Sequence, residues 1–158
     1  MQKMRRDIRK MKLEDQVCSL EYAKKLRNLE WEKESIFYWH WYKKNRDYER
    51  IECDLMTSKI ADFDDGKWKF ICYPAFTVAE LGEMLPDCVN ASKLFNNKNT
   101  TLMDLNGHFI KSSKKDDEYK IYIDGLTKVT IFFSKNEANA RAKMLIYLLE
   151  NGLIEIKT

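Results

Sequence analysis

The chain has little of what interrupts or specialises a fold. Five glycines and two prolines in 158 residues argue against a linker-rich or multi-domain design. The four cysteines, Cys18, Cys53, Cys72 and Cys88, never approach Cys-x-x-Cys spacing. With only His40 and His108 beside them, a zinc site of the usual local pattern is disfavoured. There is no glycine-rich phosphate loop, no nucleophile elbow and no His-Glu-x-x-His. No apolar run approaches a membrane span, and the charged start lacks the apolar core of a signal peptide. An excess of either charge is lacking too, with 28 Lys and Arg against 25 Asp and Glu. A net charge of +3 excludes a protein that mimics DNA by acidity and does not by itself call for nucleic acid.

What is present fits one globular unit. A chain of 158 residues, 44% hydrophobic and 34% charged, is long enough to bury a sizeable core. We expect a single α+β domain over 17–158, preceded by a basic extension at 1–16. Reduced thiols in a cytosolic protein suit the cysteine pattern.

Two stretches stand out as candidate binding surfaces. Residues 1–12 carry Lys3, Arg5, Arg6, Arg9, Lys10 and Lys12 against Asp7 alone. This is either an arm that meets phosphate or a solvated helix face. Ser35–Lys44 reads Ser-Ile-Phe-Tyr-Trp-His-Trp-Tyr-Lys-Lys and predicts a central strand. Alternation puts Phe37, Trp39 and Trp41 on one face and Ile36, Tyr38, His40 and Tyr42 on the other. Rings flanked by cations hold single-stranded nucleic acid by stacking and by phosphate contact. They equally serve as core or as a protein interface. The candidate binding residues are therefore Arg5, Arg6, Arg9, Lys10, Lys12, Trp39, Trp41, Tyr42, Lys43, Lys44 and Arg46. His40, with Glu32, Glu34 and Glu52 in reach, is the one candidate acid–base group for a small hydrolase. Asp62-Phe63-Asp64-Asp65-Gly66 faintly resembles a calcium loop, but Tyr73 stands where the bidentate glutamate belongs, so a hairpin turn is expected. No cofactor is called for.

The remaining pattern predicts a mostly antiparallel sheet packed by three helices. Ser19 caps a helix over Leu20–Leu29, and Thr77 with Glu80 forms a capping box for Val78–Leu85. Ser134 or Asn136 caps Glu137–Glu150, which Gly152 ends. A helix is also possible over 1–13 from the spacing of Met4, Ile8 and Met11. Strands are expected at Tyr48–Leu55, at Lys67–Tyr73 (with Trp68, Phe70 and Cys72, or else Ile71 and Tyr73, inward), at Leu102–Leu105 and at His108–Ile110. Lys111–Asp117 reads as a charged loop. Glu118–Asp124 and Thr127–Phe133 read as a hairpin that pairs Tyr119, Ile121 and Ile123 with Val129, Ile131 and Phe133 across Asp124-Gly125. Leu153–Ile156 reads as a last strand.

Four segments, Val17–Leu29, Glu34–Trp41, Ala75–Pro86 and Glu137–Ile154, together resemble a group of small uncharacterised bacteriophage and prophage proteins. The resemblance covers most of 17–154 and leaves out the basic start. It brings no catalytic motif. It implies a phage accessory protein, for which inhibition of a host defence system is the expected role. The expected function is thus a non-enzymatic protein that binds a CRISPR-type nucleoprotein effector or its guide RNA. An RNA- or DNA-binding accessory protein is the alternative, and a His40 hydrolase the third. The partner is a host defence protein or ribonucleoprotein, with RNA or a second copy of the chain as further options and no membrane.

Overall fold

A computed structural model describes residues 12–44, 51–89, 108–123 and 131–155. It is α+β. Strands β1 (Tyr38–Lys44), β2 (Ile51–Met56), β3 (Phe63–Asp64) and β4 (Trp68–Pro74) form one sheet in the order β2-β1-β4-β3. Strands β5 (Cys88–Val89), β6 (His108–Lys115), β7 (Glu118–Ile123) and β8 (Ile131–Ser134) form a second in the order β5-β6-β7-β8. Every neighbouring pair is antiparallel. The strands thus divide between two sheets, where the sequence suggested one.

Three helices lie at the expected positions, α1 (Leu20–Asn28), α2 (Val78–Met84) and α3 (Glu137–Glu150), though Ser19 stands at the N-cap of α1 without a side-chain capping bond. Thr77 and Glu80 complete the capping box of α2. Asn136 caps α3, its Oδ1 accepting from the Asn139 N–H at 3.1 Å. Gly152 follows α3 at φ +62°. There the Leu153 N–H returns to the Leu148 carbonyl at 2.8 Å and the Gly152 N–H to Leu149 at 3.1 Å, the paired bonds of a Schellman end. That geometry folds Leu153 back into the core, so no strand begins at Leu153 within the described residues.

Helix α3 is apolar on two sides, and each side meets a different cluster. Ala138, Ala142, Leu145 and Ile146 pack with Ala23, Leu26, Trp31, Tyr73, Phe76 and Leu81, reaching α1, α2 and the first sheet. Ala140, Met144 and Leu148 pack with Val89, Ile121, Ile123 and Leu153, reaching the second sheet. Each fully buried large side chain contributes about 1.5–3 kcal/mol relative to exposure. The three alanines have no exposed surface at all, and their small size lets neighbouring elements approach closely. Gly82 of α2 serves the same end, since a Cβ there would lie 2.9 Å from the Arg141 guanidinium.

Three local expectations are corrected. β1 starts at Tyr38 and not at Ser35, because the segment before it is claimed by Glu80. The Ile36 N–H donates to Glu80 Oε1 at 2.9 Å and the Ser35 hydroxyl to Oε2 at 3.2 Å. Lys111–Asp117 is not a loop. β6 runs on to Lys115, and Asp116-Asp117 make a two-residue turn at φ +50° and +62°, a conformation Asp tolerates and a tight hairpin requires. The β7–β8 register also differs by one residue: Ile121 faces Phe132, and Lys120 faces Phe133. A one-residue slip exchanges the faces of a strand. Phe132 therefore points to the core, while Phe133 is 49% exposed. The expected turns at Asn45–Asp47, Asn96–Asn99, Asn106-Gly107 and Asp124-Gly125, the strand at Leu102–Leu105 and the first eleven residues lie outside the described residues.

Asn136 does more than cap α3. Its Nδ2 donates to the carbonyls of Val17 (3.1 Å) and Glu14 (3.3 Å), so one side chain joins the helix to the chain's early segment. Asn136→Ala should cost about 2 kcal/mol, the sum of a lost cap and of lost donors to the carbonyls of the buried Val17 and the exposed Glu14. Asn136→Asp keeps the cap and should cost about half as much. Urea denaturation of the two variants beside the parent checks this, and equal stabilities for both variants would refute the bridging role.

Candidate functional site

The aromatic strand β1 is central, flanked by β2 and β4, and its two faces have different surroundings. On the inner face, turned toward α1 and α3, Trp39 and Trp41 pack against the main cluster. The Trp39 indole N–H donates to the Cys18 carbonyl at 2.8 Å. Lys24 Nζ of α1 sits 5.0 Å from the centre of the Trp41 ring and 5.6 Å from that of Tyr73, and the Arg27 guanidinium sits 5.3 Å from Tyr73. These rings already have their cations, from within the chain. Cys18 beside them is fully buried, and burial above all pushes its thiol up to about 12, so it is no nucleophile.

On the outer face Tyr38, Phe70 and Cys72 form a small cluster with Tyr42 packed against it. His40 belongs here and is 6% exposed. Its Nε2 lies 2.6 Å from the Ser58 carbonyl, so that nitrogen carries the hydrogen and donates, and its ring meets Phe70 edge-on at 5.3 Å. Ser58 belongs to the segment 57–62, which leaves β2 at one edge of the sheet, crosses this face and enters β3 at the other. His40 thereby fixes the crossing segment to the sheet.

Asp62 ends the crossing and is held from two directions. Its Oδ1 accepts the Cys72 N–H at 2.8 Å, and its Oδ2 pairs with Arg27, which also donates to the Cys72 carbonyl at 3.1 Å. Asp64 accepts from the Gly66 N–H (3.1 Å), and Asp65 from Lys67 (2.8 Å) and Trp68 (2.6 Å). Carboxylates that resembled a calcium loop are thus spent on the β3–β4 turn, with Gly66 at φ +78°. Among the described residues no group of three or more His, Cys, Asp or Glu side chains is placed to hold a metal.

Beyond the crossing segment the outer face is open. Phe63 stacks on Phe70 with ring centres 5.5 Å apart and planes 7° from parallel. Register places Phe63, Phe70 and Tyr42 in one row across β3, β4 and β1, with Trp68 and Lys44 opposite each other in the next. Met56, Ile60, Phe63 and Trp68 are 41–49% exposed. Of these, Phe63 and Trp68 are diagonal neighbours across the β3–β4 hairpin, and exposed rings so placed call for a covering partner.

Among the described residues, the candidates of the sequence do not lie on one face. Trp39 and Trp41 face inward and Tyr42 outward, its hydroxyl donating to Asp54 at 3.0 Å. Lys43 shares the inner-face register and lies opposite Ile51 and Lys69. Lys44 ends β1 opposite Trp68. Lys12 is exposed just before a 3-10 turn at Leu13–Asp15. Arg5, Arg6, Arg9, Lys10 and Arg46 lie outside the described residues. The exposed Phe63 and Trp68 were missed as a surface. The Asp-Gly turn was the available signal, because it fixes Phe63 opposite Phe70.

No protein-family model, curated protein or solved structure matches the chain.

The Arg27–Asp62 pair ties the crossing segment to α1 and carries a pH signature. Partial burial works against the Asp62 carboxylate, but Arg27 and the Cys72 N–H outweigh it and hold its pKa below the usual value. A depressed carboxylate stabilises above its unfolded pKa, and that contribution is lost as pH falls through the folded one. With both side chains about 40% exposed, the effect is discounted to about 1 kcal/mol. Asp62→Asn should therefore lower the melting temperature at pH 7, and the gap to the parent should close on titration below about pH 4. A gap that persists unchanged into acid would refute the ion pair's contribution.

Proposed function

We propose that this chain is a non-enzymatic binding protein of phage origin that blocks a host antiviral system by occupying a nucleoprotein effector of CRISPR type, or its guide RNA, in the host bacterial cytoplasm. The observation that carries the reading is the outer face of the first sheet, where Phe63, stacked on the buried Phe70, and Trp68 lie exposed beside the half-buried Tyr42. Aromatic side chains of this kind supply the energetic centre of protein interfaces. The resemblance to phage proteins supplies the context. Among the described residues, no helix is long and apolar enough to cross a membrane.

The hydrolase reading has less support, since His40 is buried and its Nε2 engaged by a backbone carbonyl. A general base must reach a substrate proton. Trp41→Ala is a poor probe of nucleic-acid binding, because Trp41 packs into the main cluster and its loss would unsettle the fold.

The test is a capture experiment from a natural host lysate, with the parent chain and the Phe63→Ser/Trp68→Ser double variant as parallel baits. Both side chains are more than 40% exposed, so the double variant should keep its fold, with a melting temperature within a few degrees of the parent. The parent should enrich a defence nucleoprotein, with its RNA, at least about tenfold over the variant. Equal recovery by the two baits, or recovery of no defence component, would sink the reading. A parent that dimerises while the variant does not would make a second copy the occupant of this face.

A further inference from the structure

The outer face of the second sheet is a different kind of surface. β7 and β8 turn Tyr119, Ile121, Ile123 and Phe132 toward α3, so Lys120, Tyr122, Ile131 and Phe133 point away from it. On β6 the residues opposite these are Lys111, Ser113 and Lys115. Two rows result across the three strands: Lys111–Tyr122–Ile131 and Ser113–Lys120–Phe133. Phe133 is 49% exposed, and the Lys120 ammonium rests 4.7 Å from the centre of the Tyr122 ring. The acidic groups Asp116, Asp117 and Glu118 gather at the hairpin tip, where Lys115 faces Glu118. Among the described residues, the two middle rows thus hold lysines, rings, one serine and the aliphatic Ile131, and no acidic side chain.

We propose that this face binds single-stranded nucleic acid, with Tyr122 and Phe133 stacking two bases and Lys111 and Lys120 meeting the phosphates between them. The rings occupy diagonal positions on adjacent antiparallel strands, about 7–8 Å apart at the backbone. Sheets that read single strands place their stacking rings on the strand faces in the same way. Stacking tolerates any base, since each has a π-face, and the lysines act as point charges without reading sequence. Binding is accordingly weakly sequence-dependent and strongly salt-dependent. Lys120 is poised for the exchange: in the free protein it covers the Tyr122 ring, and a phosphate draws it aside as a base takes the ring. The acidic tip confines the strand to the middle of the sheet by repulsion. The proposal deepens the preceding reading by giving a guide RNA a place to bind, yet it stands on a separate face and is tested without any host component.

The test uses the full chain and a fluorescein-labelled twelve-nucleotide oligouridine, read by anisotropy at 50 mM and 200 mM salt. The parent should bind at the lower salt and weaken steeply at the higher. Phe133→Ala should weaken binding about tenfold at both, with an unchanged salt slope, because it removes a stacking partner. The double variant Lys111→Gln/Lys120→Gln should weaken it more and reduce the slope of log affinity against log salt by about two. Circular dichroism melts confirm that each variant is folded, and the Phe63→Ser/Trp68→Ser chain serves as a folded control that should bind like the parent. The proposal is overturned if the parent does not bind at 50 mM salt. It is equally overturned if the folded second-sheet variants bind as the parent does, or if a polyglutamate of equal charge competes as well as unlabelled oligouridine. Loss of host capture with oligouridine binding intact would remove the inhibitory reading and leave this one standing.

Discussion

The structure depends on α3 burying two sides at once. A sheet with one covered face needs a partner for that face, and neither sheet here packs on the other through its own strands. The C-terminal helix joins the two, with Ala138, Ala142, Leu145 and Ile146 toward the cluster it shares with α1, α2 and the first sheet, and Ala140, Met144 and Leu148 toward the second. The three alanines make this feasible, because a helix can sit close to its neighbours only where its side chains are short. Asn136 and Asn139 then fasten the start of that helix to residues far away in sequence. The Asn139 side chain accepts the Ser19 N–H at 2.7 Å, and Asn136 reaches Val17 and Glu14. Core and polar bridges converge on the same helix turn.

That arrangement decides where function can lie. With the inner face of the first sheet covered by α1 and α3 and that of the second by α3, what remains is the pair of outer faces, and they differ in chemistry. The first is aromatic and partly closed by the crossing segment that His40 and Asp62 fix in place. The second alternates lysines with rings and has no such cover among the described residues. The basic–aromatic run that dominates the sequence between Trp39 and Lys44 belongs to neither face as a unit, because β alternation sends its rings to both sides of one strand.

Most of the helices were legible in the sequence, for a physical reason: caps are local. Thr77 with Glu80, Asn136 before Glu137 and Gly152 after Asn151 each act within a few residues, and each was found where its chemistry placed it. Strand registers are not local. The β7–β8 pairing was read one residue out, since alternating Ile131 and Phe133 look as fit for the core as Phe132 does. The Tyr147 ring on α3, 5.6 Å from Phe132, settles the choice, and no hairpin pattern contains it. The β6–β7 turn was missed because Asp116-Asp117 among lysines resembles a solvated loop. Only the backbone shows both aspartates at positive φ. These two errors concern the two hairpins that share β7, and together they concealed the lysine-and-ring face.

A net charge of +3 bears on how such a molecule would act. A few lysines on one sheet give only modest, salt-sensitive attraction to phosphate. An aromatic patch flanked by one stacked pair likewise gives only modest protein affinity. Neither alone would suit the inhibitor proposed above, which would have to persist on its target. A nucleoprotein offers both chemistries within one particle. Two faces carried by elements packed on the same helix turn the second contact into an intramolecular one, so the affinity of the whole exceeds that of either face by orders of magnitude. On this reading the separation of the aromatic and basic surfaces is itself the basis of specificity: bare RNA engages one face, a lone protein the other, and only their combination engages both.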